Sequence, residues 1–268
     1  MQVLSNQQMQ EIAPSIFAQQ PWQKMSDKYR FIPTINVIDA MRENGFQPVK
    51  AMQSRTRIEG KGDFTKHLIR FRHADYLQAR TVGQEVPEIV LVNSHDGSSA
   101  YQLMAGIFRL VCSNGMVVCN ADMGAISARH SGKNDLVHDV IEGSYKIIED
   151  APQQFAQIEN FKAVQLSPDQ QIAFAKAAVE LKGENAAQTF DAARFLQARR
   201  LEDKGTDGRR DLWRTMNVVQ ENMIRGGIRG LSANRRRVTS RAVNSVSEDI
   251  RINKALWLLT TEMAKLAA

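Results

Sequence analysis

Apolar and polar residues follow different rhythms along this chain. Residues 1–30 are polar, glutamine-rich and weakly patterned, and read as an N-terminal arm with a short helix at Asn6–Ile12. After Pro33, Ile35, Ile38 and Met41 recur at helical spacing. Thr34 is placed to cap and Gly45 to close, so residues 34–44 are predicted to form an amphipathic helix. From Phe46 to Val118 the pattern changes to that of strands. Residues 47–58 and 64–73 flank Glu59-Gly60-Lys61-Gly62-Asp63, a good hairpin loop. Pro87 opens a strand at 88–93, and Asp96-Gly97 centres the turn that follows it. A further strand is expected at 100–112, and Asn114-Gly115 signals a tight hairpin returning into 116–119.

Beyond Asn134 the rhythm is helical to the end. Helices are predicted at 135–150, 153–163, 167–182, 187–200, 208–224 and 246–267, with Ser167-Pro168 and the stretch from Gly205 to Gly208 as punctuation. The expected class is α+β: an N-terminal antiparallel sheet of about five strands with a packed helix, then a helical C-terminal half. The expected divisions are the arm (1–30), the sheet domain (31–134) and the helical region (135–268), which contains an Arg/Gly-rich segment at 205–245.

Composition adds boundaries. The chain has 268 residues, 43% hydrophobic and 24% charged, which suits one or two globular domains and excludes disordered, collagen-like or coiled-coil chains. No apolar run is long enough for a membrane span, no secretory signal is legible, and two cysteines make no disulfide framework. A cytoplasmic location without membrane association is expected.

Charge changes the picture most. The net charge is +6, and residues 205–245 alone carry it: nine arginines against Asp207, Asp211 and Glu221. The remaining residues balance, with 26 charges of each sign. So local an excess points to a polyanion, most simply nucleic acid. Within the segment, Arg225-Gly226-Gly227-Ile228-Arg229-Gly230 runs on to Arg235, Arg236, Arg237 and Arg241. Glycines allow close backbone approach and guanidinium forks match phosphate. The segment matches neither a Walker loop nor a dinucleotide fingerprint. A second basic surface is expected on the sheet. Strand side chains alternate, so Gln53, Arg55 and Arg57 would share one face, and Lys66, Arg70 and Arg72 one face of the next strand. With those faces aligned, five cations line a phosphate-binding platform. A solvated outer sheet face is the plainer alternative.

Other candidates are weaker. Cys112 and Cys119 would share a hairpin face, either as two zinc ligands lacking two more or as core thiols. His95-Asp96 sits in a turn without further metal ligands. His130, Asp135, His138, Asp139 and Glu142 form a loose cluster, read as a metal site or as a solvated helix face. No nucleophile elbow or carboxylate quartet stands out, so neither catalysis nor a cofactor is expected.

Several motifs are similar to those of a known family. They are Phe31-Ile32-Pro33-Thr34, His67-Leu68-Ile69-Arg70-Phe71-Arg72, the run from Pro87 to Gly97, and the run from Gly106 to Gly115. Leu212-Trp213, the run from Asn217 to Asn222, Arg225-Gly226-Gly227, Arg237-Val238-Thr239 and Ala255-Leu256-Trp257 continue it. From about Tyr29 to Lys265 the chain resembles phage- and plasmid-like proteins of a domain-of-unknown-function family, found in prophages and on conjugative plasmids. A helix beside a curved basic sheet, followed by helices, also resembles the single-strand annealing proteins of phages (the RecT, Redβ and Erf types). That resemblance implies single-stranded DNA held in a basic groove, pairing with a complementary strand into an annealed duplex without nucleotide hydrolysis, and homo-oligomeric rings or filaments. The expected function is therefore DNA binding, annealing and recombination for a mobile element. The alternatives are an anti-defence protein acting on a host nuclease or complex, and a metal-dependent nucleic-acid enzyme using His130, Asp135 or His138.

Overall fold

The computed structural model describes residues 2–27, 29–78, 85–109, 116–117, 126–128, 136–200, 203–205 and 209–267. The chain is α+β, and its contacts divide it into two units: 1–151 with 244–246, and 152–243 with 247–268.

In the first unit, β1 (Phe46–Gln53), β2 (His67–His73), β3 (Glu85–Asn93) and β4 (Tyr101–Arg109) form an antiparallel meander in chain order. Two short strands, β5 (Met116–Val117) and β6 (Ile126–Ala128), pair with β4 at different points, giving six strands. Strand alternation turns Ile69, Phe71, Ile89, Leu91, Leu103 and Ala105 to one face. That face is the core, closed by α1 (Asn6–Ile12), α2 (Thr34–Glu43) and the first half of α3 (Leu136–Ala163) through Met9, Val37, Ile38, Met41, Leu136, Val140 and Ile147. Pro87 sits inside β3, but the pairing with β2 ends at Ile89, so its missing N–H interrupts no bond on that side.

Residues 2–27 are part of this unit, and their helix α1 spans the expected Asn6–Ile12. Ser5 caps α1 in a reciprocal capping box with Gln8, and Met9, Ala13, Ile16 and Trp22 are buried. Pro152 does not break α3 into the two helices expected from the sequence. A proline removes one donor, and the buried positions continue on both sides through Ala151, Gln154 and Ile158.

The second unit is built on α6 (Leu212–Arg225), which is buried along almost its whole length. Asp211 caps it by accepting from Arg214 N at 2.6 Å. Trp213 joins Phe161 of α3 and Trp257 of α7 (Val246–Ala267), with ring centroids 5.4 to 6.5 Å apart. α4 (Pro168–Glu180), opened by a Ser167–Gln170 capping box, adds Phe174, Ala178 and Val179. The helix expected at 187–200 is instead α5 (Ala186–Thr189), an extended residue at Phe190, and a 3₁₀ turn at Ala192–Leu196. Asp191 causes the break, because its carboxylate accepts from Ala193 N at 3.0 Å and starts a new turn. β7 (Gln165–Leu166) pairs with β8 (Arg210–Asp211), and β9 (Arg229–Leu231) pairs with β10 (Arg237–Thr239).

Candidate nucleic-acid interface

The structure treats the two expected basic surfaces differently. On the sheet, β1 ends at Gln53, so Arg55 and Arg57 lie exposed in the connection to β2, and Lys66 lies just before β2 begins. The register pairs Gln53 with His67, which puts Gln53 on the core face and not with the cations. There Gln53 accepts from Ser15 N at 2.9 Å and donates to Gly62 O at 2.8 Å. Arg70 and Arg72 do share the opposite face, as alternation requires, but they are 5% and 0% exposed. Both are ion-paired to the fully buried Glu88 on β3, with Arg72 at 2.6 Å. A carboxylate between two guanidiniums holds all three groups away from water, so neither arginine is presented to a phosphate. The five-cation sheet platform is therefore corrected: it dissolves into a loop and a buried ion cluster.

The motif residues on the core face also fasten the fold. Thr34 does not cap α2, since Pro33 precedes the helix and Thr34 is its first residue. Its hydroxyl lies instead 2.9 Å from His67 Nε2, 3.1 Å from His95 Nε2 and 3.3 Å from Tyr101 Oη, and accepts from Asn93 Nδ2 at 3.0 Å. A hydroxyl has one proton and two lone pairs, so with Asn93 donating it cannot accept from both imidazoles. Ser15 Oγ lies 2.9 Å from His67 Nδ1. Burial pushes His67 down to about 4, outweighing the Thr65 carbonyl and Asp96, so the ring is neutral near pH 7. The turn beside it is tied by Lys61 and Asp96 at 3.0 Å. Burial would raise the Asp96 carboxyl, but Ser98, Lys61 and Ser94 hold it below its usual value.

The Arg/Gly segment becomes a hairpin. β9 and β10 pair Arg229 with Thr239, Gly230 with Val238 and Leu231 with Arg237. Alternation turns Ile228, Gly230, Val238 and Ser240 inward and Arg229, Leu231, Arg237, Thr239 and Arg241 outward. Gly230 lets the hairpin lie flat, since a Cβ there would meet Thr189 O at 2.3 Å and the Phe190 ring at 2.5 Å. The stem is tied by Gly227 N donating to Ser240 O and Ser240 N to Ile228 O, both at 2.8 Å. At its foot, Arg199 donates to Asn222 Oδ1 at 2.7 Å and to Gly226 O at 2.6 Å. Asn222 in turn donates to the carbonyls of Phe195 and Gln197. Buried Glu221 holds Arg200 at 3.2 Å and Arg225 at 3.3 Å. The tip turns through Ser232–Arg235, with Arg235 in the left-handed region at φ 56°. Glycine or asparagine is the usual choice there, and an arginine costs on the order of 1 kcal/mol.

Of the candidate residues, Arg229, Arg235, Arg236, Arg237 and Arg241 are brought together, exposed, on one hairpin, with Arg225 at its foot. Residues 225–241 hold six arginines and no acidic residue. Between the hairpin and residues 188–194 lies a groove of about 800 Å³, lined by Arg194, Arg229 and Arg237, by Gln188, Thr189, Asp191 and Thr239, and by Leu231 and Val238. The sequence reading missed Gln188, Thr189, Asp191, Arg194 and Leu231. Only the alternation of Arg229 with Leu231 and of Arg237 with Thr239 hinted at a strand-like platform. His138 and Glu142 lie 3.9 Å apart and exposed on α3. Among the described residues no three His, Cys, Asp or Glu side chains are grouped to hold a metal ion. Cys112, Cys119, His130, Asp135 and the Asn114-Gly115 turn lie outside the described residues. Among the described residues no helix is long and apolar enough to cross a membrane.

Comparison with known proteins gives one family. Residues 21–257 match the family described as Domain of unknown function (DUF932). Two proteins of Escherichia coli (strain K12), UPF0380 protein YafZ and UPF0380 protein YfjQ, are each 36% identical to the chain over 256 residues. Each alignment covers 96% of this chain and 90% of the relative. No solved structure matches.

Proposed function

We propose, for a chain that belongs to the DUF932 family, that it binds single-stranded DNA through the 225–241 hairpin and promotes pairing of complementary strands without nucleotide hydrolysis. The observation that carries this reading is the hairpin itself: six arginines and no acid within residues 225–241, on a stem fixed at its foot by Arg199 donating to Gly226 O and by the backbone bonds of Gly227 and Ser240. A phosphate chain is the simplest partner for such a surface. Forked guanidiniums on a fixed β-ribbon bind phosphates with little loss of side-chain freedom. Neutralising phosphates also removes the repulsion that keeps two complementary strands apart, and this links binding to pairing. Copies of the chain side by side would extend the surface along a strand, which fits a homo-oligomer of a phage- or plasmid-borne annealing protein.

The test mixes the purified protein with a labelled single strand and its complement, without nucleotide or metal, and follows duplex formation and particle size. Faster pairing by the wild type and loss of it with Arg235→Ala, Arg236→Ala and Arg237→Ala together is the expected result. No single-strand binding at low salt, or pairing untouched by the triple substitution, overturns the reading.

A further inference from the structure

The groove beside the hairpin has a composition that phosphate binding alone does not require. Three arginines line it, but so do an amide, two hydroxyls, a carboxylate and two aliphatic side chains. Leu231 is 53% exposed, directly across from Arg237 on the outward face and two residues from Arg229. An apolar side chain between guanidiniums dilutes a purely Coulombic surface, and it offers a face against which a flat apolar group can pack. At about 800 Å³ the groove falls within the range of pockets that enclose small ligands, about 300–1,000 Å³.

We propose that this groove receives a base of an unpaired nucleotide, packed against Leu231, while Arg229 and Arg237 on the same face of the hairpin hold the flanking phosphates. Gln188, Thr189, Thr239 and the Asp191 carboxylate supply donors and acceptors for the base edge. The Asp191 Oδ1 that accepts from Ala193 N holds the groove wall in place. A base within a duplex has its faces stacked and its edge paired, so only a single strand can fill the groove. The inference rests on the nucleic-acid reading above and adds that the hairpin distinguishes unpaired from paired strands by their bases and not by charge density.

The experiment compares an oligothymidylate with an abasic strand of the same length and phosphate count, each titrated over a range of salt. The abasic strand is expected to bind about tenfold more weakly with an unchanged salt slope, since stacking is sequence-tolerant but needs a base. Leu231→Ala and Leu231→Arg, with fold checked by circular dichroism and melting, are expected to bring the two strands within about twofold of each other. Leu231→Arg separates the alternatives, because a purely electrostatic surface would bind both strands more tightly and keep their ratio. Equal binding of the natural and abasic strands by the wild type, or an unchanged ratio in both Leu231 variants, overturns the groove while leaving arginine-dependent binding in place. Binding of neither strand removes both readings together.

Discussion

Thr34, His67, His95, Asn93 and Tyr101 show how single residues carry the first unit. They come from α2, β2, the end of β3 with the turn after it, and β4, and one hydroxyl serves as their meeting point. Such a knot is stable only while its donors and acceptors match. His67 is held neutral down to about pH 4 by burial. Unfolded, it takes up a proton near its ordinary value of 6.5. Between those values the unfolded state binds the proton and the folded state does not. Stability is therefore fully present above pH 6.5 and falls as pH drops toward 4, by on the order of 3 kcal/mol. Urea melts at several pH values check this. His67→Gln is less stable at neutral pH but lacks this slope, and equal pH dependence in both proteins would remove His67 as its source. Arg70 and Arg72 are likewise carried in the interior by pairing, both meeting the buried Glu88.

At the scale of elements, the hairpin depends on Gly230. A methyl group there would press on the Thr189 carbonyl and the Phe190 ring. Gly230→Ala is expected to lose about 1–3 kcal/mol in a urea melt, as overpacking does, and to lift the hairpin from residues 188–194. Protease cleavage within 229–239 should then quicken. A variant as stable and as resistant as the parent would show that this packing is not what fixes the hairpin. Elements were also what the sequence disclosed best. The periodicity of 34–44, 208–224 and 246–267 was plain because each apolar stripe is local. Alternation separates Arg70 and Arg72 from Ile69 and Phe71, as the register has them, while Lys66 of the same expected face lies just before β2. What alternation cannot give is register: nothing in residues 47–58 says that Gln53 lies opposite His67. Nor does it say what a face meets, since Glu88 stands 16 residues beyond Arg72 in the chain. The arginine segment shows no strand period because its strands are three residues each.

At the scale of the molecule, the +6 excess lies in one stretch of the chain, residues 205–245, and is not a general basicity. Because buried ion pairs consume Arg70 and Arg72, charge totals overstate what is free to meet a ligand. If about five arginines neutralise phosphates of a single strand, each contributing about 0.7 to the salt exponent, affinity should fall with a log–log slope of about −3.5. Fluorescence titrations at several salt concentrations measure it. A slope near zero would exclude phosphate neutralisation by this patch. Gly226 gives the patch one more property. It closes α6 at φ 65°, and a Cβ on it would strike the backbone of Ser240, Arg241 and Ala242. Val243 N meanwhile donates to Ile224 O. The chain thus departs and returns at one point, so residues 227–240 are a closed excursion from the core. The exposed side chains of such a module can exchange charge without disturbing the helices behind it, while its buried Ile228 and Ser240 hold the stem in place.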